Sequence, residues 1–457
     1  MTRDWWLELF SQWLDYPAIV EDDKVIAYRR FAASIRETAE GLAMQGIRKH
    51  SVVILQSDFS IASVTAFFAL VHLGAIVVPI AEATPDSLAV QVQCGAEFLC
   101  RTVPGLAIER LAETVQPALY EKLKKRDTSG LVLLSSGSTG TSKAVLHDLE
   151  GLLAAQRVDT VKRKVSVVLT LLFDHIGGIN TLLRTLFAGG VALIASERTP
   201  DAVCRLIEKQ RARILPATPT FLNLILIGGF QRLFDLGSLR LISYGTEPMP
   251  EDLLRRLHEA FPRARLLQTF GTSETGIALT SSQSSNSTFF KIDDANVSYR
   301  IVNGELQLRS ATRFLGYLYS DSESTADDEW FRTGDIVESS GDGFIRIRGR
   351  VQEVINVGGQ KILPVELETM LLQSPMIADC QVHSEPNALT GQIICADIVP
   401  RDLAITRSEM RRHIQSFFAG KVEAFKIPTR IKIINQVPYS RRFKRRRHLN
   451  HVDLRQN

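Results

Sequence analysis

Residues 59–81, FSIASVTAFFALVHLGAIVVPIA, contain no Asp, Glu, Lys or Arg. A run of that length and apolarity has two physical fates: a bilayer span, or burial inside a large core. His72, Gly74 and Pro79 interrupt it, and AIVVPI has the β-branched density of a strand buried on both faces. The expected arrangement is helix, tight turn and parallel strand, with no membrane span.

The same texture recurs along the chain. β-Branched runs at 51–56, 75–80, 165–173, 191–195, 212–217 and 239–245 alternate with helix-like stretches such as DAVCRLIEKQ, which predicts βαβ units and largely parallel sheets. After about residue 295 closely spaced strands take over, with Asn303-Gly304 and Gly341-Asp342-Gly343 as turn signals. The expected fold class is α/β. A large N-terminal domain of parallel βαβ sheets over 1–350, with a β-rich subdomain at about 295–350, precedes a small, mobile α+β lid domain over 351–457.

Bulk composition excludes several classes. With 457 residues, 45% hydrophobic and 23% charged, the chain is long enough for two or three cored domains. Its five cysteines, with no C-x-x-C pair, suggest neither a disulfide framework nor a zinc site. The opening MTRDWWLELF lacks the charged and apolar regions of a secretory signal, so a cytoplasmic location is expected. The net charge of +4 is uneven, and RRFKRRRH at 441–448 carries much of the excess. No aromatic platform accompanies that stretch, so a nucleic-acid partner is not expected.

The loop SSGSTGTSKAV, residues 135–145, follows the apolar LVLL. Its glycines let backbone N–H groups approach oxyanions, and hydroxyls plus one lysine suit a phosphate chain. Gly137, Gly140 and Lys143 run G-x-x-G-x-x-K, which excludes the Walker A loop. Ser136, Ser138, Thr139 and Thr141 are candidate donors, with Lys143 as a mobile cation; the bland alternative is a Ser/Gly linker. In QTFGTSETG, Glu274 follows two small hydroxyl residues and suits Mg²⁺, while Thr272 and Ser273 are in reach of a phosphate; a capping turn before a helix is the alternative. In TGD, Asp335 offers a carboxylate able to accept both hydroxyls of a ribose.

These stretches, with YGTEPMP at 244–250 and GRVQEVINVGGQKILPVELE at 349–368, stand in an order that resembles the adenylate-forming superfamily: acyl-CoA synthetases, aryl-acid ligases, peptide-synthetase adenylation domains and beetle luciferase. The resemblance covers about residues 25–448. It implies ATP and Mg²⁺, a small carboxylic acid as substrate, and CoA or a phosphopantetheine carrier protein as acceptor. It further implies that Phe270 and Gly271 lie beside adenine, that Gly245, Thr246 and Glu247 form a wall of the nucleotide site, and that Glu274 holds metal. Asp335 and Arg350 would serve the nucleotide, Gln352 the hinge, and Gly358 and Gly359 a tunnel for the thiol.

At the end of the chain the family has Gly-Lys, and VPYSRRFKRRRH places Lys444 at the matching offset with Phe443 in place of the glycine. A lysine there would stabilise charge at the transferring phosphoryl centre; a basic tail is the alternative. LLFDHIGGINTLL, residues 171–183, resembles the acyl-site segment, with Phe173, Asp174, His175 and Gly177 as pocket candidates. Phe173-Asp174 points to an amine-bearing acid, whereas His175 points to a gate beside the carboxylate or a satisfied core histidine. The resulting expectation is an acid–thiol ligase of the acyl-CoA synthetase type, compact and biosynthetic, with any carrier domain acting in trans and a homodimer left open. A non-catalytic sensor of ATP or acyl-AMP is the reading from another class.

Overall fold

The computed structural model describes residues 4–81, 87–136, 142–157, 164–319, 329–440 and 443–444. The charge-free run resolves as expected. Ser60 opens helix Ile61–Leu73 through a capping box, Gly74 closes it in the left-handed region, and strand Ile76–Ile80 follows, wholly buried. No helix among the described residues is long and apolar enough to cross a membrane.

That strand sits within the first of two seven-stranded sheets. Its central pairs, Gly130–Ser136 with Ile76–Ile80, Val52–Gln56 and Phe98–Arg101, are parallel, and antiparallel strands close both edges. The second sheet runs from Arg265–Gln268 through Leu241–Tyr244, Ile214–Ala217, Ser166–Val168 and Val191–Ile194 to Pro17–Glu21, all parallel, and ends on antiparallel Lys24–Ala27. Helices Ile61–Leu73 and Ile176–Phe187 share one core with both sheets. The strand expected over 165–173 is shorter, Ser166–Val168, because the chain turns at 171–174 to enter helix Ile176–Phe187.

A six-stranded antiparallel sheet follows, from Thr280–Ser282 and Phe290–Ile292 to Val297–Val302. It begins earlier than residue 295, since two short strands separated by a Ser/Asn-rich turn carry no β-branched run to announce them. The Asn303-Gly304 and Gly341-Asp342-Gly343 turns both take positive φ, as the hairpins require. Beyond Arg350 a smaller unit has its own core. Helices Pro364–Leu371 and Arg407–Phe418 pack with strands Ile377–Asn387, Gly391–Pro400 and Arg430–Ile433. The molecule is thus α/β, with a large N-terminal and a smaller C-terminal part.

His147, on strand Ser142–Asp148, is fully buried beside the backbone of Ser273. Burial pushes its imidazole down from 6.5 to about 4, with Ser273 opposing. The unfolded chain therefore binds the proton more readily, so the contribution is complete above pH 6.5 and is lost as pH falls toward 4. The stability lost over that window is about 3 kcal/mol. Denaturant melts from pH 7 to 4 should show it, and His147→Leu should flatten the acid limb of the profile.

Candidate active site

Helix Ile176–Phe187 is the organising element. His175 is its N-cap, and Nδ1 accepts from the Gly177 amide at 3.1 Å. In a neutral ring the proton therefore sits on Nε2. Lys444 Nζ approaches that same Nε2 at 3.5 Å. Two donors facing one another attract an acceptor between them, and a carboxylate or phosphate oxygen is the natural occupant.

Lys444 reaches this point because Phe443 is anchored. The Phe443 carbonyl accepts from Thr218 Oγ1 at 2.7 Å, and its ring meets Phe221 edge-on at 4.8 Å and stacks beside Tyr439 at 5.6 Å. Its φ of 49° lies in the left-handed region, where a glycine sits without strain. The phenylalanine thus keeps the backbone setting and adds a ring seat on helix Pro219–Ile227.

His175 lines one end of a cavity of about 380 Å³ between this helix and the second parallel sheet. Gly177, Thr181, Arg184 and Thr185 line its helical side, spaced by one and two turns. Val167, Ile214, Leu241 and Leu267 supply an apolar wall from the sheet, and Gly245, Thr246, Phe270 and Gly271 close another side. Gly178 keeps the helix close to the preceding loop, since a Cβ there would lie 2.0 Å from the Leu172 carbonyl. A Cβ on Gly271 would lie 2.3 Å from the Gly276 carbonyl across the hairpin Phe270–Thr272/Gly276–Ala278.

Several expectations change here. Phe173 is buried in the core, 4.7 Å from the Phe59 ring and 5.5 Å from that of Phe67, and neither it nor Asp174 lines the cavity. The pair therefore does not present a carboxylate to an amine-bearing acid. Phe270 lines the cavity but its ring is 6% exposed and stacks on Phe290, so it belongs to the core of the antiparallel sheet. Glu247 turns to the start of helix Pro219–Ile227, accepting from the amide and hydroxyl of Thr220. Gly358 and Gly359 line no described cavity. Their positive φ values serve the turn between Ile355–Val357 and Gln360–Ile362.

Thr246 has a φ of 72°, an outlier for a β-branched residue and a local store of strain beside the cavity. No helix follows Glu274, so the capping alternative is excluded. Its turn is built by Thr272, whose hydroxyl accepts from the amides of Glu274 and Thr275 at 3.2 Å. Ser273 sits at the apex, against buried His147. Tyr317 donates to Glu274 Oε1 at 2.9 Å, and Lys143 Nζ lies 5.1 Å from the Tyr317 ring centroid. Burial, with Glu274 adding to it, pushes the Tyr317 phenol up. The second Glu274 oxygen has no protein partner among the described residues. One hard carboxylate oxygen without a surrounding cage fits Mg²⁺, which binds through one or two carboxylates plus substrate phosphates. The Gly137, Ser138, Thr139, Gly140 and Thr141 expectations lie outside the described residues, as does the Ser136 side chain, although strands Gly130–Ser136 and Ser142–Asp148 flank the loop.

Asp335 and Arg350 pair across adjacent strands, with Arg350 Nε donating to Asp335 Oδ1 at 3.1 Å. Burial raises the Asp335 carboxyl, against the pull of Arg350 and with a further push from Glu353. Gln352 lies exposed just beyond, in the short turn Val351–Glu353. Sequence reading missed Arg184 by one residue, because the motif stretch ended at Leu183. The helical period from Gly177 was the signal that would have found it.

Comparisons with known proteins show what the chain resembles. The AMP-binding enzyme family model matches residues 8–318, and the AMP-binding enzyme C-terminal domain model matches 366–444. Relatives include an indoleacetate–CoA ligase of Aromatoleum aromaticum, 26% identical over 94% of both chains. A 4-coumarate–CoA ligase of Pinus taeda is 26% identical over 95% of this chain and 91% of its own. Among solved structures, an anthranilate CoA ligase in complex with anthranoyl-AMP superposes with a TM-score of 0.80 at 20% identity, covering 97% of each chain.

Phe443→Ala removes the ring seat and keeps the strained backbone, whereas Phe443→Gly removes both. Loss of the ring contacts costs roughly 1–2 kcal/mol. Limited trypsin digestion should therefore cut at the C-terminal basic segment fastest in Phe443→Ala, and at similar, slower rates in Phe443→Gly and the wild type.

Proposed function

The chain belongs to the AMP-binding enzyme family, and from that premise we propose that it is an AMP-forming acid–thiol ligase of the acyl-CoA synthetase type. It activates a carboxylic acid with ATP to an acyl-adenylate and transfers the acyl group to CoA. The observation that carries this reading is the pair of donors, His175 Nε2 and Lys444 Nζ, at the end of a largely apolar cavity.

In the first half-reaction a carboxylate oxygen of the acid attacks the α-phosphorus of ATP, and the bond to the bridging oxygen of pyrophosphate breaks. Lys444 binds the acid carboxylate and an α-phosphate oxygen together, holding the two like charges in line. His175 orients the carboxylate from the helix N-terminus, where the dipole also favours an anion. Asp335 accepts from the ribose, and Lys143 with the 136–141 loop holds the β and γ phosphates. Glu274 is the metal-holding carboxylate, and Mg²⁺, when bound, neutralises phosphate charge. In the second half-reaction a thiol sulfur attacks the acyl carbon, AMP departs, and the thiol proton passes to solvent.

For the second step the body, 1–350, and the lid, 351–457, are taken to rotate about Gln352. CoA is preferred to a carrier protein as acceptor, in keeping with the CoA ligases among the relatives. A cytoplasmic location completes the reading.

The test is incubation of the purified chain with ATP, Mg²⁺ and pooled short, medium, aryl and amino acids, read by mass spectrometry for acyl-AMP, then again with CoA. Acyl-AMP without thiol and acyl-CoA with it are expected, and Lys444→Ala should slow pyrophosphate release by about 100-fold or more. ATP bound with no pyrophosphate released from any pool would overturn the reading in favour of a sensor.

A further inference from the structure

Arg184 is the charged residue in the acid cavity that the activity above leaves unused. Among the residues lining that cavity, His175 and Arg184 are the titratable ones, and neither Asp nor Glu is present. They occupy the same helix nine residues apart, about 13 Å of axial rise. Because Arg184 leans toward the N-terminus while the His175 ring turns forward onto the Gly177 amide, the two head groups are separated by on the order of 10 Å.

The guanidinium has no carboxylate within ion-pairing distance among the described residues. Its nearest acidic influence is Asp294, which acts through space. Both Asp294 oxygens are already committed, one to the Leu279 amide and one to the Asn296 amide, each at 2.9 Å. Asn180 and Arg184 also form the wall shared with a second cavity of about 360 Å³, so the cation stands at a divide between two spaces. The neighbouring hydroxyls do not compete for an anion. Thr181 donates to the Gly177 carbonyl and Thr185 to that of Thr181, both at 2.7 Å.

Arg184 is exposed to the cavity space and has no ion-pair partner among the described residues, and a cation so placed selects a ligand that brings the opposite charge. We propose that the substrate is a two-headed acid, with an apolar body and a second carboxylate, about 10 Å from the reacting one, received by Arg184. This rests on the acid-ligase reading. It goes further by naming the substrate class: dicarboxylic acids, in preference to monocarboxylic acids of equal length.

The experiment uses two non-reactive acyl-sulfamoyl adenosines, octanoyl and octanedioyl, titrated calorimetrically into the wild type, Arg184→Lys and Arg184→Gln. The octanedioyl compound should bind the wild type at least about 10-fold more tightly. The ratio should fall toward one in Arg184→Gln and stay intermediate in Arg184→Lys. Equal wild-type affinities would overturn the proposal. If Arg184→Gln does not fold, the wild type and Arg184→Lys decide alone. Parallel adenylation assays with octanoate and octanedioate separate the two readings. Acyl-AMP formed with a binding ratio of one sinks the dicarboxylate assignment and spares the ligase. A preserved ratio without acyl-AMP does the reverse, and failure of both compounds to bind sinks both.

Discussion

The seat of Phe173 between Phe59 and Phe67 is the contact on which the site depends. Phe59 and Phe67 belong to the charge-free run that is buried in the core shared by both parallel sheets. A ring held there has no freedom to let the following residues drift, since a well-packed core resists displacement. Two residues later His175 caps its helix, and that cap sets which ring nitrogen faces Lys444. The charge-free run that fills this core thus also fixes the entry to the helix that His175 caps. Folding energy and catalytic geometry share the same aromatic cluster.

The C-terminal unit meets the body through a few directional contacts. Arg348 pairs with Glu366 at 2.7 Å across the turn at Gln352, and Asn223 donates to Asp379 at 3.2 Å. The Thr218–Phe443 bond is the third. Partly exposed pairs of this kind are individually worth about 1 kcal/mol or less, so they specify an orientation without locking it. That balance suits an enzyme that uses one active site for two steps.

Legibility in the sequence followed the physics of each signal. Buried parallel strands and the helix–turn–strand of 59–81 were readable because burial on both faces leaves continuous apolar runs. His175 and Lys444 were singled out from ordered motifs, even with Phe443 in place of the glycine, and the fold brings the two side chains together. Phe173 and Asp174 were misread because adjacent residues on a turn point to different surroundings, and only packing decides which faces the ligand. The start of the antiparallel sheet at Thr280 was hidden because three-residue strands carry too little pattern. Arg184 was overlooked for a different reason: a charged residue on a helix is normally a solvated one, so its place on the helical repeat from Gly177 carried little weight until the sheet was seen opposite it.

Phe443 also sets a limit on how long the docked arrangement lasts. Its left-handed backbone costs roughly 1–2 kcal/mol relative to glycine, while its ring contacts return an amount of the same order. The two nearly cancel, so docking is specific in position yet shallow in depth. A tail held this way is poised between docked and released arrangements, so a small change in the contacts of Lys444 or Phe443 is enough to shift the balance between them.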